Sequence, residues 1–301
     1  MIDQEPAFTK RAHRQTRSDG SIKMREIAEP SLKAREQHST MLRVFYHFFD
    51  GESMPHATGS VPGKQLIDNV MPHRLSNSFY QLDLKDAFAN VDIDVLIEKL
   101  MNSGRLPARW NYDVEKFVLD WGRQADIPGL PQGAPCSPVL FNFYCLEMDR
   151  VLGKYCEDSG ITYTRYLDDL TFSAPTRLGK KRRGHIRNII ANHSAGLEIN
   201  HSKSRLHSLD NGPVTITGIS IQTDRRLQPS PELIKKARQV FEDGTELTSD
   251  LLFMFDEEVG RLHGWNGVIQ QLSAPDQEPS HTLSRLNRKY YRALGKLGQK
   301  T

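Results

Sequence analysis

Two adjacent aspartates, Asp168 and Asp169, stand between two short strand-forming runs in the stretch Tyr163 to Ser173. The pattern reads strand, turn, strand, with both acids at the turn. A third acid closes another strand: Phe79 to Leu84 alternates in polarity, and Asp83 lies at its end. A strand ending in Asp projects a carboxylate from a rigid platform, and a tight turn carrying two more can be brought against it. Three carboxylates at one point repel strongly at low effective dielectric. Such a cluster persists when a divalent cation sits in it, and all-oxygen ligands select Mg²⁺ or Mn²⁺ over zinc. Two such ions about 4 Å apart would clamp the attacking and leaving oxygens of a phosphoryl transfer. Asp-Asp pairs are also common on ordinary surface turns, and the residues alone leave both possibilities open.

The rest of the chain alternates between helix and strand signals. Asp19-Gly20 marks a hairpin, with a strand at Met24 to Ile27 and a turn at Glu29-Pro30. Apolar spacing predicts helices over Ser39–Phe49, Val91–Leu100, Val139–Leu152 and Ile186–Ala195, the third beginning after Pro138. Val214 to Ile221 reads as a strand. From Pro231 onward the pattern is helical, broken by a polar loop at Ser273–Ser280. Mixed α and β followed by helix alone predicts an α+β fold with a helical C-terminal part.

Composition narrows the function classes. The 301 residues are 38% hydrophobic and 26% charged, as in a soluble globular protein. Mean hydropathy is −0.55, and no apolar run approaches the roughly 20 residues that span a bilayer. The first residues lack an apolar core, so neither a membrane protein nor a secreted one is expected. Cys136, Cys145 and Cys156 form no paired motif and read as reduced thiols of a cytoplasmic protein. A net charge of +3 says little, but its placement says more. Arg285, Arg288, Lys289, Arg292 and Lys296 share one side of a helix at about 100° per residue, and His281 to Thr301 contains no acid. That helix would dock by Leu283, Leu286, Tyr290, Leu294 and Leu297 and present a basic ridge. Lys180 to Arg183 form a second, shorter basic run that equally suits a solvated helix start.

Several stretches resemble reverse transcriptase motifs. YLDD (Tyr166 to Asp169) is similar to the family's YxDD turn. GLPQGAPCSPVLFN (Gly129 to Asn142) is similar to its LPQGxPxSPxLxN segment, and DLKDAF (Asp83 to Phe88) to its first catalytic motif. GLEINHSKSRLH, containing Lys203, and ITGISI (Ile216 to Ile221) resemble the next palm motif and the primer-grip hairpin. The resemblance spans residues 15 to 225. It implies a right-hand polymerase: interleaved fingers and palm over residues 1–228, the palm core at about 79–94 and 135–228 with an antiparallel sheet, and a helical thumb over residues 229–301.

The resemblance also assigns roles. Asp83, Asp168, Asp169 and the Leu84 carbonyl would hold two Mg²⁺ ions, for which Mn²⁺ can substitute. Lys203 matches the lysine that protonates departing pyrophosphate. Phe88 matches the ring that excludes a ribose 2′-hydroxyl, so the implied substrates are dNTPs. Gln132 would touch the incoming nucleotide and template base, with Gly133 permitting close backbone approach. Lys23 and Arg25 alternate on one strand face and would meet the triphosphate, Arg17 similarly. The ridge from Arg285 to Lys296 would contact the phosphates of an RNA:DNA hybrid.

Gly63 to His73, containing Asn69 and His73, resembles the NAxxH stretch of bacterial retron enzymes, with Val70 in place of Ala. Ile216-Thr217-Gly218 is similar to their VTG triplet, and Val259 to Leu272 to their thumb. Retron and neighbouring defence-associated enzymes imply a structured non-coding RNA as template, a role in antiphage immunity, and a possible effector protein. Alternatives are a template-independent or protein-primed polymerase of the same fold, and a catalytically silent RNA-binding scaffold.

Overall fold

The computed structural model describes residues 8–16, 22–49, 53–124 and 128–235. The chain divides into two compact units, one from residues 1–64 and 80–206, the other from 65–79 and 207–301. Helices and antiparallel sheets alternate, as an α+β chain requires.

In the first unit, β1 (Phe8–Thr16) and β2 (Ile22–Pro30) pair antiparallel in a continuous register from Phe8↔Pro30 to Thr16↔Ile22. The turn expected at Asp19-Gly20 lies outside the described residues. Helix α1 (Leu32–Phe48) starts seven residues before the predicted Ser39. Ser31 provides the reason: its hydroxyl accepts the Ala34 amide at 3.4 Å and caps the first turn. Strand β3 (Ser78–Asp83) follows. Helix α2 (Ile93–Asn102) is capped by Asp92, which accepts from the Asp94 and Val95 amides at 3.0 and 3.1 Å. Helix α3 (Ala108–Gln124) was not anticipated; Val114 and Val118, four apart, bury its inner face.

The predicted helix Val139–Leu152 is two helices, α4 (Ser137–Tyr144) and α5 (Leu146–Asp158). Cys145 between them keeps near-helical angles, φ −82° and ψ −5°, so the apolar pattern runs on while the helix is interrupted. Strands β4 (Thr162–Tyr166) and β5 (Asp169–Ala174) form the anticipated hairpin. Helix α6 (Lys180–His193) buries Ile186, Ile189 and Ile190. Its basic start is not wholly solvated: Arg183 donates to the Leu178 carbonyl at 3.0 Å and lies over the Tyr80 ring. With β6 (Arg205–Ser208) the larger sheet has the order β4-β5-β3-β6. Cys136, Cys145 and Cys156 are buried free thiols, each pushed up to about 12 by burial.

The second unit contains a three-stranded sheet of β7 (Val214–Ile216), β8 (Ile219–Ile221) and β9 (Leu227–Pro229). The stretch read as one strand is therefore a hairpin. Thr217 and Gly218 form its two-residue loop at φ +45° and +87°, the left-handed pair that matches strand twist. The Asn69 amide donates to the Thr217 hydroxyl at 3.2 Å, so the two retron-like signatures meet. The Arg225 guanidinium donates to the Ser76 carbonyl and the Asn77 side chain, and Arg74 donates back to the Arg225 carbonyl at 2.8 Å. His73 is fully buried, and burial lowers its pKa to about 3. Among the described residues no helix is long and apolar enough to cross a membrane.

Candidate active site

Strand β3 is buried on both faces apart from the half-buried Gln81, and Asp83 at its end is 8% exposed. Three backbone hydrogen bonds fix this end. The Asp83 carbonyl accepts the Asn200 amide at 2.7 Å, the Leu84 amide donates to the Asp168 carbonyl at 2.9 Å, and the Lys85 amide donates to the Glu198 carbonyl at 2.8 Å. The first aspartate segment is thus stitched directly to the second and to the segment leading to Lys203.

The β4–β5 hairpin closes at Tyr166↔Asp169, leaving Leu167 and Asp168 as its two-residue loop. Leu167 has φ +53°, a left-handed conformation that non-glycine residues adopt at a steric cost. Strain of this kind persists only where surrounding contacts enforce it. Asp168 is half-buried and Asp169 exposed, so both carboxylates stand at the sheet margin. Burial, and then the Asp169 charge, raise the Tyr166 hydroxyl above its ordinary pKa.

The Lys203 ammonium forms an ion pair with Asp83 Oδ1. Among the described residues, no three or more His, Cys, Asp or Glu side chains converge closely enough to hold a metal ion. The chemistry of the donor set nonetheless fits a hard divalent cation: oxygen ligands only, on segments joined by the Leu84–Asp168 hydrogen bond. The ammonium on Asp83 is a stand-in cation at one of those ligands.

The Gly129–Asn142 segment is held against this centre. Gly129 has φ +69°, and a Cβ there would lie 2.3 Å from the Phe88 carbonyl oxygen, so a side chain is excluded. The next amide, Leu130, donates to that carbonyl at 2.8 Å. The Phe88 ring stacks on Phe141 at 4.7 Å and 18°, giving the ring a rigid backing. The Gln132 carbonyl accepts the Ala28 amide at 2.8 Å, which ties β2 to this loop. Gly133, at φ +104°, is needed for that approach: a Cβ would lie 2.6 Å from Ile27 Cγ2 and 2.9 Å from the Ala28 carbonyl. The close neighbour that Gly133 admits within the chain is β2.

Lys23 and Arg25 lie on β2 opposite Gln15 and His13. Arg17 and the ridge Arg285, Arg288, Lys289, Arg292 and Lys296 lie outside the described residues, as does the helical C-terminal part beyond residue 235. Sequence reasoning missed Asp149 and Arg165, both buried beneath the Leu167-Asp168 loop's hairpin. No local pattern marks them: Asp149 lies beside Glu147 and Arg150, and Arg165 among Thr162, Thr164 and Tyr166.

A model of the family "reverse transcriptase (RNA-dependent DNA polymerase)" matches residues 15–238. The retron Ec86 reverse transcriptase of Escherichia coli is 26% identical over 273 residues, covering 89% of this chain and 78% of that protein. The retron Mx65 reverse transcriptase of Myxococcus xanthus is 32% identical over 182 residues, 56% of this chain and 42% of that one. Among solved structures, apo telomerase from Candida tropicalis aligns with a TM-score of 0.54 at 11% identity over 99% of this chain. Candida albicans telomerase, in complex with a fragment of telomeric RNA, aligns at 0.51 and 12% over 91%. The chain spans 64% and 53% of those two telomerase chains, and the likeness is one of fold.

Proposed function

Because this chain belongs to the reverse transcriptase family, as a bacterial retron-type member and an RNA-directed DNA polymerase, we propose that it copies a structured partner RNA into DNA at Asp83, Asp168 and Asp169. The observation that carries this reading is the 2.9 Å hydrogen bond between the Leu84 amide and the Asp168 carbonyl. It couples two segments 84 positions apart whose only common chemistry is the carboxylate.

The three carboxylates and the Leu84 carbonyl would hold two divalent ions, Mg²⁺ with Mn²⁺ able to replace it. When bound, these ions supply activation of the primer hydroxyl and neutralisation of the triphosphate. Lys203 balances Asp83 until they arrive. Released from Asp83, its half-exposed side chain would turn toward the leaving pyrophosphate and give it a proton. The Phe88 ring, backed by Phe141, closes the space a 2′-hydroxyl needs and so selects dNTPs. Gln132 lies on the loop that β2 is tied to, which would bring Lys23 and Arg25 toward the triphosphate while Gln132 meets the nucleotide and template base. A helical thumb beyond residue 229, with the ridge from Arg285 to Lys296, would follow the phosphates of the RNA:DNA hybrid. The retron-like signatures Asn69–His73 and Ile216–Gly218 support a cytoplasmic enzyme with a dedicated non-coding RNA, working in antiphage defence with an effector protein.

Primer extension on a defined RNA with Mg²⁺ and dNTPs tests the assignment. Asp168→Asn with Asp169→Asn should abolish synthesis and leave the melting curve intact. Residual polymerisation by the folded variant would refute the site.

A further inference from the structure

Among the described residues, Arg165 is the largest fully buried side chain. Its guanidinium forms a two-pronged ion pair with Asp149 on α5, Nη2 to Oδ2 at 2.6 Å and Nε to Oδ1 at 2.9 Å. Tyr163 donates its hydroxyl to the same carboxylate at 2.6 Å. Burial by itself would depress the guanidinium pKa, but the Asp149 charge and hydrogen bond, together with the neighbouring Cys145 and Tyr163, outweigh this and hold it above the ordinary arginine value. The cation is therefore permanent.

The remaining donor nitrogen reaches toward the loop. Nη1 donates to the Asn142 side-chain oxygen at 2.9 Å and to the Leu167 carbonyl at 3.1 Å. Leu167 is the left-handed residue immediately before Asp168. Asn142 in turn donates to the Gly59 carbonyl at 2.7 Å. Gly59 lies so close that a Cβ there would meet Leu167 Cγ at 3.1 Å and the Tyr166 ring at 3.2 Å. The Arg165 backbone is held on the same side, with its amide donating to the His56 carbonyl and its carbonyl accepting the Thr58 amide, both at 2.8 Å. One cation thus joins α4, α5, the segment 56–59 and the loop that carries Asp168 and leads into Asp169.

A buried ion pair adds little net stability over an apolar pair of the same volume, because desolvation cancels most of the attraction. What this one adds is geometry. We propose that Arg165, oriented by Asp149, is a positioning residue for polymerisation: it fixes the Leu167 carbonyl in its left-handed conformation and so aims the Asp168 and Asp169 carboxylates. The inference rests on the assignment of those two aspartates to catalysis.

The test compares the parent with Asp149→Leu/Arg165→Met, which removes both charges and leaves neither unpaired, and with Arg165→Lys, which keeps the charge but lacks the planar fork. Asp168→Asn/Asp169→Asn is the control. Folding is read from melting curves, kcat and the dNTP KM from primer extension, and Mn²⁺ binding from electron paramagnetic resonance of the nucleotide-free protein. Both Arg165 variants should lose about 10- to 100-fold in kcat and in Mn²⁺ affinity, as losses of ligand-orienting partners do, with KM within about 2-fold. A variant that folds with parental kcat and Mn²⁺ affinity overturns the proposal. So does a lowered melting temperature with parental kcat in the folded fraction, since that is a structural role alone. If the aspartate control still polymerises, the site assignment itself falls and takes this inference with it. A dead control beside a fully active Arg165 variant rejects the inference alone.

Discussion

Lys203 occupies the Asp83 oxygen that the proposed metal ion would need, so the two would compete for it. The lysine side chain is 44% exposed, so solvent screens the pair, and exposed or half-exposed ion pairs contribute only about 0–1 kcal/mol. A divalent ion carries twice the charge and can engage further oxygens, so on the proposed assignment it would displace the ammonium. Two consequences follow for Lys203→Gln. Mn²⁺ half-saturation, read by electron paramagnetic resonance without nucleotide, should shift about 2- to 5-fold lower, the modest change expected from losing such a pair. Turnover should fall about 100-fold through loss of the proposed proton donor. An unshifted Mn²⁺ titration would show that the ion pair is no competitor. Lys203 and Asp83 were both legible as site candidates from their motifs. Their contact was not, because it spans 120 positions and no local pattern encodes it.

At the scale of elements, the pairing of β5 with β3 brings the aspartate motifs together, and a loop contact holds the Gly129–Asn142 segment against Phe88. Gly129 permits that contact: its φ of +69° and the 2.3 Å approach of the Phe88 carbonyl both demand glycine. Gly129→Ala should therefore push the Gly129–Asn142 segment off Phe88. We expect destabilisation of about 2–4 kcal/mol, in the range of backbone clashes with left-handed strain, measured by urea unfolding, together with weaker discrimination against rNTPs. Parental stability would mean that the loop is not held there. The sequence supplied most elements because strand alternation and helical spacing are local. It misjudged the start of α1, where Ser31 caps earlier than the apolar pattern begins, and it fused α4 with α5, where apolar residues continue through the interruption at Cys145. Helix α3 escaped because, among the described residues, only two valines, Val114 and Val118, are fully buried along it, with Asp113, Glu115 and Lys116 beside them diluting the apolar stripe.

Across the whole molecule, each compact unit buries a neutral histidine. Burial lowers His38 to about 4 in the first unit and His73 to about 3 in the second. Both folded-state values lie below the unfolded value near 6.5, so the unfolded chain binds the proton more readily. The stability these groups contribute is complete above pH 6.5. It is lost as pH falls, down to about 4 for His38 and about 3 for His73, at about 1.4 kcal/mol per pH unit for each. Urea unfolding at pH 7, 5.5 and 4.5 should show that decline, and His73→Gln should flatten it; an unchanged slope in the variant would exclude His73 as a source. The amino-acid sequence on its own determined the alternation of helix and strand, because that is written in short-range spacing, and its resemblance to known motifs supplied the motif residues and the polymerase family. Tertiary structure alone decided that Asn69 meets Thr217 across 148 positions, that Lys203 rests on Asp83, and that Arg165 and Asp149 lie under the Leu167 loop. Periodicity states which face of an element is buried, whereas only the packed chain selects the partner that the buried face receives.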